Sequence, residues 1–287
     1  MVKNMTTLKN KIDFVAIVSV KMANPNGDPL TGNQPRVNYD GYGEISDVCI
    51  KRKIRNRMQD YGNSIFVQTN ERCDDGCSSL SERAKNNLNE YKKKGNTDQI
   101  AKEACEKWLD VRSFGQVFGF SDNTGVSVGI RGPVSVQTAF SCSPVEIESM
   151  QITKSVNGAG DKSEKKSDTM GMKHFVKYGL YVINGSINVQ LAEKTGFSEE
   201  DSEILKQCLR TLFTNDASSA RPDGSMEVVK LYWFKHNCKE GQYSSATVHR
   251  SISIALQEGI DTPKSIEDYT INLNRLPNLE VEEENGL

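Results

Sequence analysis

The stretch IDFVAIVSV, Ile12–Val20, is apolar at nearly every position and rich in β-branched residues. A strand with one wet face alternates in polarity. A strand without alternation is covered on both faces, so this segment demands a sheet with a layer on either side. It falls short of the ~18 apolar residues of a membrane-spanning helix, and it runs into Lys21 without the small-residue cleavage site of a secretory leader. A chain of 287 residues, 36% hydrophobic and 26% charged, can bury one such core and carry large insertions on it.

The next segment has the opposite character. NPNGDPLTGNQPR, Asn24–Arg36, holds prolines at 25, 29 and 35 and is neither helix nor central strand. Ser46 or Asp47 then caps a helix in which Ile50, Ile54, Met58 and Tyr61 recur at helical spacing, while Lys51, Arg52, Lys53, Arg55 and Arg57 occupy the other faces. Lys51 and Arg55 are four residues apart and stack on one face, with Arg52 beside them. The run contains one acid, Asp47, and no i+4 acidic partners are expected within it; like charges left uncompensated cost ~0.2–0.5 kcal/mol per pair, and a polyanion relieves that cost. The loop suits the same ligand. Asn24, Asn26 and Asn33 offer amide donors, Arg36 a cation, Gly27 a close backbone approach, and the prolines lower the ordering entropy of binding.

A net charge of −2 argues against a nucleic-acid partner only in total. The acids are segregated into FSEEDSE (Phe197–Glu203) and EVEEENG (Glu280–Gly286), away from the cationic runs. Between Asn63 and Lys107 the chain is polar and reads as a solvated insertion with a helix near Ser81–Lys94. Gly125–Phe140 alternates like a strand pair bent at Gly132–Pro133. Ile152–Phe175 lacks apolar periodicity and reads as a protruding flap carrying Lys154, Lys162, Lys165, Lys166, Lys173 and His174, of which the central lysines form a solvated tip. A strand over Lys177–Leu191, a capping box at Ser198–Asp201, an amphipathic helix through Phe213 and a strand at Met226–Phe234 complete the pattern. The order is βαββαβ with insertions, an α+β, ferredoxin-like arrangement used by the RNA-recognition fold.

The loop and helix together resemble the signature of the crRNA-binding backbone subunit of type I CRISPR surveillance complexes (Cascade), subtype I-C most closely. Further similar blocks come in order: DVRSFGQVFG (Asp110–Gly119), RGPVSVQTAFS (Arg131–Ser141), ITK (Ile152–Lys154), TMGMKHFVKYGLY (Thr169–Tyr181), TGFSEED (Thr195–Asp201) and LYWFKH (Leu231–His236). The resemblance implies one domain: an RRM-like palm over about 12–61, 110–141 and 175–256, a helical finger over about 62–109, a β-hairpin thumb over about 142–175 and an acidic C-terminal extension over about 257–287. It implies a non-catalytic scaffold that polymerises along the crRNA guide beside neighbouring copies and other surveillance-complex subunits, presenting the guide in segments for pairing with target DNA. RNA contact is expected at Asn24, Asn26, Arg36, Lys51, Arg52, Arg55, Arg112, Arg131, Lys154, Lys173 and His174, with Met170 or Met172 wedging against a base.

The competing reading is a metal-dependent ribonuclease, because backbone subunits of related type III complexes cleave RNA with an acid in the loop after the first strand, where Asp28 lies. One Asp without a partner is a thin metal site. GAGDKS (Gly158–Ser163) fails phosphate-loop spacing, the Asn24–Asn33 turn lacks the acidic ladder of a calcium loop, and the three His lack ligand spacing. Seven scattered Cys, with Cys73 and Cys77 the one close pair, indicate reduced thiols rather than disulfides or zinc. The expectation is a cytoplasmic protein with no cofactor, no metal and no membrane partner.

Overall fold

The computed structural model describes residues 6–92, 96–119, 127–153 and 170–287. The apolar run forms β1 (Ile12–Ala23). The loop after it folds on itself as a small ladder, β2 (Gly27–Asp28) against β3 (Gln34–Pro35), and leads through β4 (Tyr42–Ile45) into helix α1 (Asp47–Asp60). Helices α2 (Leu80–Asn87), α3 (Asn89–Lys92), α4 (Thr97–Lys107) and α5 (Leu109–Phe114) come next. β5 (Gly115–Phe118) then pairs with β6 (Val128–Arg131), and β7 (Val134–Val136) and β8 (Ala139–Pro144) rejoin the main sheet. β9 (Ile147–Thr153) and β10 (Met170–Ile187) pair along an arm. Helices α6 (Val189–Thr195) and α7 (Glu199–Arg210) cross to β11 (Met226–Lys235), and α8 (Ser245–His249), the hairpin of β12 (Ile252–Leu256) with β13 (Tyr269–Leu273), and β14 (Glu280–Asn285) finish the chain.

The main sheet runs β14-β11-β1-β10-β8-β4, with β7 and β9 also on β10, and its pairings are antiparallel. β1 lies in the middle, matched from Ile12↔Ile187 to Ala23↔Val176 on one side and from Ile12↔Lys235 on the other. Its period of two sends alternate residues to different cores. Phe14, Ala16, Val18 and Val20 meet Ile50, Ile54 and Met58 of α1 and Leu205 and Leu209 of α7. Val15 and Ile17 meet Tyr178, Leu180, Tyr232, Phe234 and Val248 beneath the β12–β13 hairpin. Both layers demanded by the sequence are present. Opposite Phe14 stands Gly185, where a Cβ would lie 2.0 Å from the Phe14 ring; the missing side chain lets that ring lie flat and stack on Trp233 at 5.6 Å.

Three sequence expectations change. The strand read as Lys177–Leu191 is longer at its start and ends at Ile187, where Asn188 caps α6 with its side chain on the Leu191 amide. The polar insertion is not merely solvated: Phe66, Leu88, Tyr91, Ile100, Ala104, Trp108, Val111 and Phe118 form a core of their own, with Phe66 4.7 Å from Trp108 and 5.0 Å from Phe118. Its helix divides into α2 and α3 at Leu88. The acidic tail is the edge strand β14, whose glutamates meet Lys206, Arg210, Lys230, Lys235 and Arg275.

Two carboxylates tie the fold, Asp13 in the core and Asp75 at the surface of the insertion. Asp13 accepts from His236 Nε2 at 2.8 Å and Lys11 Nζ at 2.9 Å; burial alone raises its pKa, but hydrogen bonds from His236, Ser245 and Lys11 outweigh that and hold it below the usual range. In the insertion, Arg83 donates to Asp75 from Nε and Nη2 and to Phe66 O at 3.0 Å, and holds the Asp75 carboxyl far below its ordinary value.

Candidate nucleic-acid interface

The stiff loop, the start of α1 and the base of the β9–β10 arm meet at one end of the sheet. Asn26 makes the join: its Oδ1 accepts from both the Ser46 amide at 2.9 Å and the Ser46 hydroxyl at 2.8 Å, while Ser46 caps Cys49 N at 3.3 Å. β1 reaches β10 at Ala23↔Val176, one residue before Asn24. Asn24 is buried, its amide donating to Asn33 O at 2.7 Å and its backbone N–H to Ala220 O at 2.9 Å. Gly27 does not leave open space: a Cβ there would lie 2.0 Å from Asn33 Oδ1. Asn24 is therefore part of the loop's frame, and half-buried Asn26 and Gly27 brace it against Ser46 and Asn33. Arg36 remains at the rim, 3.4 Å from Asp28 Oδ1, which also caps Leu30 N at 3.1 Å.

Helix α1 divides its cations between its two sides. The Ile50–Ile54–Met58 stripe faces the core. On one side Lys53 and Arg57 are buried, Lys53 on Asp216 and Arg57 on Thr211 Oγ1 at 3.0 Å. Burial, the largest influence, draws the Lys53 ammonium below its ordinary pKa against the opposing pull of Asp216. On the other side Lys51 and Arg55 stand over the Phe114 ring at 6.0 and 5.0 Å, Lys51 bound to Asp47 at 2.9 Å and Arg55 to Asp110 at 2.8 Å. Arg52 donates to Val67 O at 2.7 Å, and burial followed by the Arg55 charge lowers its pKa.

Contrary to the expectation from sequence, Lys51, Lys53 and Arg55 of α1 do have acidic partners. Asp47 is an i+4 partner, and Asp110 and Asp216 arrive from 55 and 163 positions away. The cationic flank is compensated within the chain. Arg112 is engaged likewise, gripping Asp201 through Nε and Nη2 at 2.9 Å each. Arg131 is exposed, but in a separate groove of about 750 Å³ walled by α4, β6 and α6. On the arm, Lys173 lies opposite Met150, and His174 Nδ1 is 2.7 Å from Ser149 Oγ. Met150, Ile152, Met170 and Met172 are exposed around them. The arm's first described strand is Ile147–Thr153; Lys154 and the lysines of the tip lie outside the described residues.

Sequence reasoning missed Phe114 as the platform beneath Lys51 and Arg55. It also missed Arg221, which reaches Asp216 at 3.3 Å and Asn24 O at 3.5 Å beneath the loop. Both sit in short segments without periodicity, so no local signal marked them.

Residues 10–274 match the family described as CRISPR-associated protein Cas7. The chain belongs to the Cas7 family. A CRISPR-associated protein Cas7 from Haloferax volcanii is 25% identical over an alignment covering 95% of this chain and 83% of that protein. Among solved structures, a chain of a "CRISPR RNA-guided surveillance complex, pre-nicking" superposes with a TM-score of 0.53 at 13% identity, covering 87% of this chain and 83% of that one. That likeness concerns the fold: a mixed α/β chain built on a large antiparallel sheet, as in Cas7. A chain of another CRISPR RNA-guided surveillance complex gives a TM-score of 0.45 at 17% identity, covering 78% and 68%.

Proposed function

We propose that this Cas7-family chain is a non-catalytic backbone subunit that grips a crRNA guide by its phosphates, lines up with further copies and other subunits along it, and presents it in segments to target DNA. The observation that carries the reading is the meeting of loop, α1 flank and arm at one end of the sheet, in a chain matching Cas7 from residue 10 to 274. Single strands are held by cations that track the backbone and by side chains that meet the bases. Lys51, Arg52 and Arg36 supply the first, and the exposed arm residues Met170 and Met172 suit the second.

The strand order β11-β1-β10-β8, with α1 and α6–α7 as crossovers, supports an RRM-like palm; the insertion with its own core suits the finger and the β9–β10 arm the thumb. The NPNGDP loop favours subtype I-C. No described helix is long and apolar enough to cross a membrane, in keeping with a cytoplasmic setting. The ribonuclease reading gains no support: Asp28 is occupied by Leu30 N and Arg36, and no three metal-ligating side chains are grouped among the described residues.

Co-expression with a guide tests the reading. Guide should co-purify, and affinity should fall linearly in log–log form with salt; a flat salt response excludes backbone gripping. Complementary labelled RNA with Mg²⁺ should stay intact; cutting that disappears in Asp28→Ala would favour the ribonuclease.

A further inference from the structure

The cations near the loop and α1 are of two kinds. Arg55 is held by Asp110, which is fully buried and also accepts from the Phe66 and Val67 amides at 2.6 and 3.1 Å. Lys53 is held by Asp216 and Arg112 by fully buried Asp201. Pulling Arg55 or Arg112 away would leave a buried carboxylate without its cation, and Lys53 is itself buried, so none is free to change partner. Lys51 and Arg36 differ. The Lys51–Asp47 pair is 23% and 37% exposed and the Arg36–Asp28 pair 34% and 23%, at 2.9 and 3.4 Å. Pairs so exposed contribute little to stability and separate readily.

Each of these two carboxylates has a second station that keeps it in place once its cation leaves. Asp47 is the first residue of α1, where the helix dipole favours a negative charge. Asp28 caps the Pro29–Thr31 turn through Leu30 N. An acid one helical turn from its lysine acts at high effective concentration, so a lone phosphate competes poorly with it. A strand that also engages Arg52 can displace it.

Resting on the RNA-gripping reading, we propose that Asp47 and Asp28 are specificity-determining residues: tethered counter-anions that occupy the phosphate positions on Lys51 and Arg36. Loading is then an exchange of carboxylate for phosphate, and weakly matched polyanions are rejected. The displaced carboxylate takes up a solution cation, which offsets the counterion released from the nucleic acid.

The test measures binding of the full-length chain to fluorescent single-stranded oligouridylate across a salt series. Asp47→Asn should bind about three- to tenfold tighter at low salt, with the log–log slope steeper by about 0.7, the increment of one added contact to a single strand. Asp28→Asn should shift the same way. Glu258→Gln, an equal charge change at an exposed turn away from the site, should match wild type. In a Lys51→Gln background the Asp47→Asn gain should vanish. Salt-dependent binding by wild type with no change in affinity or slope for Asp47→Asn and Asp28→Asn overturns the exchange and leaves the scaffold reading standing. No binding by any of the proteins, wild type included, overturns both.

Discussion

Arg112 and Asp201 are joined by two hydrogen bonds of 2.9 Å across 89 positions of sequence. The same Asp201 carboxylate accepts from Ser198 N at 2.9 Å, closing the capping box of α7, and Thr195 donates to Arg112 O. The guanidinium is therefore a wall of that cap. Arg112→Ala should lower unfolding free energy by about 3 kcal/mol in urea titration, because buried Asp201 would keep the Ser198 amide but lose its cation. The folded fraction should keep its RNA affinity. Unchanged stability with lost affinity would return Arg112 to the interface.

Lys51 and Arg55 share the Phe114 ring, yet their substitutions should part. Lys51→Gln removes an exposed pair and should change stability by less than about 0.5 kcal/mol while weakening guide binding about tenfold. Arg55→Gln leaves Asp110 buried and should cost about 2–3 kcal/mol of stability. Calorimetric melting beside guide titration separates them, and equal melting temperatures for the two variants would count against the division.

Removing residues 280–287 strips β14 from β11 and uncovers Lys206, Lys230 and Lys235. At about 1 kcal/mol for each net hydrogen bond lost, the truncated chain should be at least ~3 kcal/mol less stable and prone to self-association. Light scattering and urea unfolding read both effects. Wild-type behaviour in the two assays would mean the tail is dispensable.

Acid should weaken the fold through the carboxylates held below their ordinary values. For Asp13 and Asp75 the folded state binds a proton less readily than the unfolded state, so their contribution is complete above the ordinary Asp value of 3.8 and is lost as pH falls below it. Melting temperature should be steady near neutrality and decline below about pH 4. Asp75→Asn should lower the neutral value and flatten part of that decline; an unaltered profile would show that Arg83 does not depend on this charge.

How far the sequence could be read depends on the reach of each interaction. β1, α1 and the Ser198–Asp201 box were legible because strand period, helix spacing and caps are local. The core of the insertion was not, because Phe66, Trp108 and Phe118 lie far apart among polar residues. Helix α6 was read into the preceding strand because Val189 and Leu191 continue its apolar pattern, and only Asn188 and Gly196 mark the ends. At the site, residue types were legible but engagements were not. Asp110 and Asp216 decide which cations are held, and nothing near α1 announces them.

The two borders of the main sheet are guarded in different ways. β14 brings four glutamates to the β11 side, and residues 36–38 bond along β4 through Glu44 N to Arg36 O and Asn38 N to Tyr42 O. The outer line of β14 has no described strand beside it, and its glutamates set like charges against any second copy that approaches there. On the scaffold reading proposed above, like charge at that border opposes strand-to-strand stacking, so the span of a row of copies would follow the nucleic acid they share rather than protein concentration.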